Sequence, residues 1–312
     1  MHCVREIRSA CEMRCGALGD LFHFTLRRRS NISQCATAHY FTFGVSRIFH
    51  LKHYRFYDII NSSVNKNLTG IYMKVEEYGK SNPKTIVMLH GAHFVHTFGR
   101  QYSLSKEFHI VVPHIMGFGD NTERVFQTDE CIMELADYIK SLNKKVMLIG
   151  FSLGAQLAFR LVAEYEELFE SAIIVSPWLI KEESELSKAN EMNKRQFKQL
   201  QNKFMCRLIG TMNGLPPKAC KEFVLQMQNV KEEKISNIVY NGITIDSVPR
   251  FSDIQVPVIA IAGEKEQDEV LNSIRKMAEI NENCRFEIWE KAGHNIPPLF
   301  AKRFNKLICS VG

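Results

Sequence analysis

"LIGFSLGAQL", residues 148–157, is the stretch that decides the fold. An apolar run ends in Gly150, Phe151, Ser152, Leu153 and Gly154, and a helical pattern begins directly after it. A G-x-S-x-G sequence between a buried strand and a helix is the setting of a nucleophile elbow. The serine has to project from a tight, strained turn. Side chains at Gly150 and Gly154 would collide with the neighbouring strand and helix. The hydroxyl then lies beyond the carboxyl end of the strand, where open α/β sheets place their ligands. The N–H of Leu153, at a helix N-terminus, can face a developing oxyanion.

Outward from the elbow, the chain alternates continuous apolar runs with amphipathic ones. "GIYMKVEEYG" (70–79) alternates like a strand, and "TIVMLHG" (85–91) reads as a buried strand ending in a loop. A short helix is predicted over 99–106, and "FHIVVPHIMGFGD" is a strand running into a Gly-containing loop. "TDECIMELADYIKSL" carries apolar residues at helical spacing, with Asp129 and Glu130 near its start, where the helix dipole favours negative charge. "KVMLIG", the helix "LGAQLAFRLVAEYEELF" and the strand "SAIIVS" come next. From 177 to about 250 no convincing strand occurs, and Lys/Glu-rich helical pieces take over. The rhythm resumes with "VPVIAIAG" (256–263), a helix near 268–280, the strand "CRFEIWE" and a last helix around 298–309. This order predicts an α/β fold: a mostly parallel sheet with helices on both faces and a helical cap inserted before the last two strands.

The 312 residues, 45% hydrophobic and 24% charged, suffice for a full core, so one domain plus an appendage is expected. The net charge of +6 is mild and lies largely at the N-terminus; no nucleic-acid partner is indicated. Residues 1–69 read as a poorly ordered extension. Over the first fifty every basic residue is Arg, four of the nine cysteines fall there, and no period of 2 or 3.6 runs through them. Such an Arg-rich, acid-poor stretch also fits an organellar targeting segment, and Met73 would serve as an adequate start for the regular part of the chain. The cysteines are odd in number and lack a CxxC pair, which favours reduced thiols in a cytoplasmic protein over a disulfide framework or a zinc site. Three N-x-S/T sequons, at Asn31, Asn61 and Asn67, are short enough to recur by chance. No apolar run approaches the roughly 18 residues of a membrane span, and no feature points to an oligomeric state.

A serine hydroxyl needs a base, and the base needs a partner that fixes its tautomer. "WEKAGHNIPP" supplies His294 just after the last strand, and "IAGEKEQDE" supplies acids just after the preceding one. Glu266 is the first choice for the acid, Asp268 is a close rival, and Glu264 ranks behind both. The chain order Ser, acid, His is the order this topology imposes. A second oxyanion donor is expected from "LHGAHF", where Gly91 lets the backbone turn and the N–H of Ala92 would enter the site. His90, His93 and His96 are spaced H-x2-H-x2-H. On a loop this spacing does not put three rings on one face, so no metal is expected. In the cap, Met192, Phe197, Leu200, Phe204 and Met205 could line an acyl site, but the plainer reading is that they bury the cap against the sheet.

These motifs together resemble the α/β-hydrolase superfamily over roughly residues 70–312, and most of all its small bacterial-type serine hydrolases with a helical cap. "HG" at 90–91, "GFSLG" at 150–154, "GEKE" at 263–266 and "GHNIP" at 293–297 carry the resemblance. It implies nucleophile Ser152, acid Glu266, base His294, oxyanion N–H groups at Ala92 and Leu153, and hydrolysis of a small-molecule acyl substrate through an acyl-enzyme, with no cofactor. A carboxylic ester, thioester or lactone is the expected substrate. Carbon–carbon bond hydrolysis or acyl transfer on the same triad is the alternative, as is a non-catalytic ligand-binding relative. A serine nucleophile argues against the dehalogenase and epoxide-hydrolase branches. The sequence departs from the superfamily after the second core strand, where Asp and P-G-x-G-x-S are frequent. His114 and Met116 stand in place of that Asp and Pro, and only Gly117 and Gly119 match.

Overall fold

The computed structural model describes residues 73–312. The extension over residues 1–69, its sequons and four of the cysteines lie outside the described residues. Seven strands form one sheet: β1 (Val75–Tyr78), β2 (Thr85–Leu89), β3 (His109–Pro113), β4 (Val146–Phe151), β5 (Phe169–Val175), β6 (Val258–Gly263) and β7 (Cys284–Trp289). Their spatial order is β1-β3-β2-β4-β5-β6-β7. Only β1, which pairs with β3, runs antiparallel; every other neighbour is parallel.

The apolar runs are continuous because the central strands are covered on both faces. Alternate residues go to opposite sides. Val87, Leu89, Leu148 and Ile174 join a core under the helices α1 (Thr128–Ser141), α2 (Leu153–Glu164) and α7 (Asp268–Ile280). Ile86, Met88, Ile149 and Val175 join the core on the opposite face, with Phe304 and Ile308 of α9 (Ala301–Val311). Between β5 and β6 lie α3 (Glu183–Gln201), α4 (Lys203–Met212), α5 (Pro217–Asn229) and the one-turn α6 (Glu232–Ile235). A further turn, α8 (Ile296–Leu299), precedes α9.

Three local expectations are corrected. The helix predicted over 99–106 is instead two 3-10 turns, Val95–Phe98 and Tyr102–Lys106. This link brings residues 91–93 to the strand ends and anchors α9 through Gln101, whose side chain donates to Pro297 O and Asn305 Oδ1, so short turns replace a periodic helix. The first strand is shorter than its alternating pattern, beginning at Val75 among the described residues. Of the cap residues read as buried, Phe197 and Leu200 are, but Met192 is 59% and Phe204 75% exposed, because they lie on the outer sides of α3 and α4. The five described cysteines are free.

Candidate active site

The parallel register sets the site. Leu89 pairs with Gly150, Phe151 with Val175, and Val175 with Ile261, so β2, β4, β5 and β6 end side by side. Ser152 follows β4 with φ 54° and ψ −115°, the left-handed strain expected of the elbow. Its N–H donates to Val175 O (2.9 Å), tying the turn to the end of β5. The flanking glycines leave no room for a Cβ: at Gly150 it would lie 2.3 Å from Gly154 O, and at Gly154 it would lie 2.1 Å from Leu89 O. Gly91 admits the Phe151 ring in the same way, with 2.9 Å to its edge carbons.

Ser152 Oγ lies 3.0 Å from His294 Nε2, and His294 Nδ1 lies 2.9 Å from Glu266 Oε2. The loop carrying His294 is drawn onto the end of β6 by Gly263, whose absent side chain would meet Ala292 O at 2.5 Å. Glu264 and Lys265 donate backbone N–H groups to Trp289 O and Ala292 O. Of the acids weighed from the sequence, Glu266 is the one beside the imidazole. The Glu264 carboxylate accepts the Lys291 N–H (2.6 Å) and so braces the same loop, while Asp268 opens α7. The Glu266 side chain is 5% exposed. Burial would raise its pKa, but the hydrogen bond and charge of His294 and the hydroxyl of Ser176 outweigh this and hold it below the ordinary carboxylate value.

Ser176 is the contributor that sequence reading missed. It follows β5 as Ser152 follows β4, has φ 54°, and donates its hydroxyl to Glu266 Oε1. Its signal was positional: a serine directly after the strand beside the elbow. Ala92 is half-buried at the start of the loop after β2. Among the described residues, no carbonyl or side chain accepts the N–H of Ala92 or that of Leu153.

The three spaced histidines have separate partners. His90 is buried, with Nδ1 2.7 Å from Gly91 O, and its Nε2 accepts the Ile115 N–H at 3.0 Å. This fixes the ring in its Nδ1–H tautomer and ties the loop after β2 to the loop after β3. Burial lowers its pKa to about 3 and keeps it neutral. His93 sits at φ 67° with Nε2 3.5 Å from Asn193 of α3, and burial lowers its pKa to about 4. His96 faces Glu222 of α5 at 2.9 Å. No group of three or more metal-capable side chains clusters among the described residues. Where the superfamily often has Asp, the His114 Nδ1 accepts the Asp120 N–H (3.0 Å) and its Nε2 meets Glu76 (3.2 Å). Gly119 makes room for it, since a Cβ there would lie 2.5 Å from His114 Nδ1. The inserted helices reach the same rim: Phe223 of α5 stacks on Phe94 at 4.6 Å, and the Asn295 side chain donates to Asn213, just past α4.

Comparison with known proteins agrees with this architecture. MenH from S. aureus superposes with a TM-score of 0.60 at 19% identity, covering 77% of this chain and 97% of its own. An esterase from Exiguobacterium antarcticum gives 0.62 at 17%, covering 76% and 94%. A meta-cleavage product hydrolase from Pseudomonas fluorescens gives 0.59 at 13%, covering 77% and 93%. No curated protein matches the sequence. The family described as "alpha/beta hydrolase fold" matches residues 84–299, more than half of the chain, and the protein belongs to that family.

Proposed function

We propose that the protein is a serine hydrolase that cleaves carboxylic esters, or the related thioesters and lactones, through an acyl-enzyme. The observation that carries this reading is the chain of contacts from Ser152 Oγ to His294 Nε2 (3.0 Å) and from His294 Nδ1 to Glu266 (2.9 Å) at the strand ends. With Glu266 ionised, Nδ1 keeps its proton and Nε2 is free to accept one. Ser152 Oγ attacks the acyl carbonyl as its proton passes to Nε2. The oxyanion forms within reach of the Ala92 and Leu153 N–H groups, at the positive end of α2. Collapse expels the alcohol, which takes the proton from His294. Water, deprotonated by the same imidazole, then opens the acyl-enzyme and restores the serine.

Esterases with the same fold support this choice, among them one from Exiguobacterium antarcticum and carboxylesterases of Nitrososphaera gargenis. The likeness to a meta-cleavage product hydrolase favours carbon–carbon bond hydrolysis as a second reading, with His294 protonating a carbanionic rather than an alkoxide leaving group. The test is labelling with a fluorophosphonate probe and peptide mapping, and then turnover of p-nitrophenyl esters of graded chain length. Ser152 should be labelled and at least one ester turned over, and Ser152→Ala should abolish both. Labelling without turnover would favour the second reading, and no labelling would remove the serine-hydrolase reading altogether.

A further inference from the structure

The outer side of the inserted helices carries charge and apolar surface that the site does not use. From Met192 to Lys231 the sequence holds eight basic residues and one acidic residue, Glu222; the other described residues hold 22 basic against 29 acidic. All eight basic residues are exposed, and Glu222 is engaged by His96. Arg195 reaches Glu191 at 3.7 Å and Lys218 reaches Glu222 at 3.9 Å; among the described residues the remaining six have no ion-pair partner. Interleaved with this charge, α4 repeats Phe204, Leu208 and Met212 at i, i+4 and i+8, with exposures of 75, 43 and 69%. Lys203, Arg207 and Thr211 form the adjacent exposed row, while Cys206 and Gly210 face inward. Met192 on α3 and Leu225 on α5 add two more large exposed apolar side chains. A groove of about 470 Å³ separates α4 from α5, with Leu215 and Val224 inside and the exposed Arg207 and Lys221 at its edge.

We propose that the α4 face docks on an anionic phospholipid bilayer, with Lys203, Arg207 and the neighbouring Lys221 on the headgroups and Phe204, Leu208 and Met212 in the acyl boundary. The local excess of positive charge selects an anionic partner. The apolar row distinguishes the bilayer from other anions, because contiguous exposed Phe, Leu and Met gain free energy only by leaving water. A nucleic acid would offer them no apolar partner, and Phe204 is the one exposed aromatic residue between 192 and 231, too few for a stacking platform. The geometry is that of an interfacial helix rather than a spanning one: α4 has ten residues, and no described helix is long and apolar enough to cross a membrane. Beyond α4, Asn213 bonds Asn295 next to His294, and Gly214 packs on Pro298 and Leu299. A docked cap would therefore hold the rim of the Ser152 site near the lipid surface. The docking itself does not depend on that site being catalytic.

The test is flotation of the full chain with vesicles of phosphatidylcholine alone or mixed with phosphatidylglycerol, at low and high salt. Phe204→Ser/Leu208→Ser removes the apolar row, and Lys203→Glu/Arg207→Glu reverses the charge. All four positions are exposed, and melting temperatures check that the fold persists. Wild type and Ser152→Ala should both float with the mixed vesicles at low salt. Neither should float with phosphatidylcholine alone. High salt and each double variant should weaken binding at least about tenfold. No flotation with the mixed vesicles, equal flotation with neutral ones, or unchanged binding by either double variant would overturn the proposal. Tighter binding to polyglutamate or to DNA than to the vesicles would also overturn it and assign the face to another partner. Because Ser152→Ala is expected to bind, failure here is separable from failure of the hydrolase reading.

Discussion

Glu266 is held between burial, which favours its neutral form, and two hydrogen bonds, which favour the ion; the bonds prevail. An ionised carboxylate at this position fixes the His294 tautomer, which a neutral amide cannot do. Glu266→Gln is therefore expected to lower kcat on the best p-nitrophenyl ester by about three to four orders of magnitude. Asp268→Asn, which changes a residue at the start of α7, should leave kcat within about twofold, since surface changes away from the reacting groups have small effects. A comparable loss at Asp268 would move the acid role there. Ser176 donates its hydroxyl to the Glu266 carboxylate. Losing its charge-assisted hydrogen bond in Ser176→Ala should cost roughly tenfold in kcat with little change in KM. A change confined to KM would mean that Ser176 contacts substrate instead.

At the scale of elements, α2 lies so close to β2 that a single methyl group decides the contact. A Cβ at Gly154 would lie 2.1 Å from Leu89 O, a backbone atom that no rotamer change can move. Gly154→Ala should lower stability by about 3 kcal/mol or more, or prevent folding. At Gly293 nothing lies within 4 Å of the added Cβ, so Gly293→Ala should leave the urea midpoint nearly unchanged. Equal effects at the two positions would contradict this packing. The need for Gly150 and Gly154 was legible in the sequence because glycine flanking a serine between strand and helix has a single steric reading. The central strands were legible as unbroken apolar runs, which only a doubly covered sheet explains, and the order of Ser152, Glu266 and His294 came from the strand ends. Three features were not legible. The link from β2 to β3 obeys tertiary anchors such as Gln101 and has no period of its own. Ser176 gains its role from a neighbour 90 residues away. The outward set of Phe204 and Met192 was hidden because helical spacing shows that a helix has an apolar face, not whether a partner covers it.

Across the whole molecule, Glu76 joins parts that are distant in sequence. Its carboxylate on β1 takes the His114 ring at 3.2 Å and the Tyr78 hydroxyl at 2.5 Å, with His96 at 3.9 Å. His96 continues to Glu222 of α5, so the edge strand, the loops after β2 and β3, and the inserted helices share one polar chain whose histidines are buried and whose carboxylates are partly exposed. The His114 hydrogen bond, with the Tyr78 hydroxyl and the nearby His96, outweighs desolvation and lowers the Glu76 pKa from 4.5 to about 2. Because the folded value is depressed, the unfolded chain binds the proton first as pH falls. The stabilisation is full above about pH 4.5, declines between 4.5 and 2, and is gone below 2. Glu76→Gln should therefore be less stable than wild type in urea melts near neutral pH, and the gap should narrow steadily from about pH 4.5 downward as the wild type takes up its proton. A gap that stays constant through this window would mean that the Glu76 carboxyl titrates alike in the folded and unfolded chains. The edge strand would then be held by backbone pairing with β3 rather than by this charge.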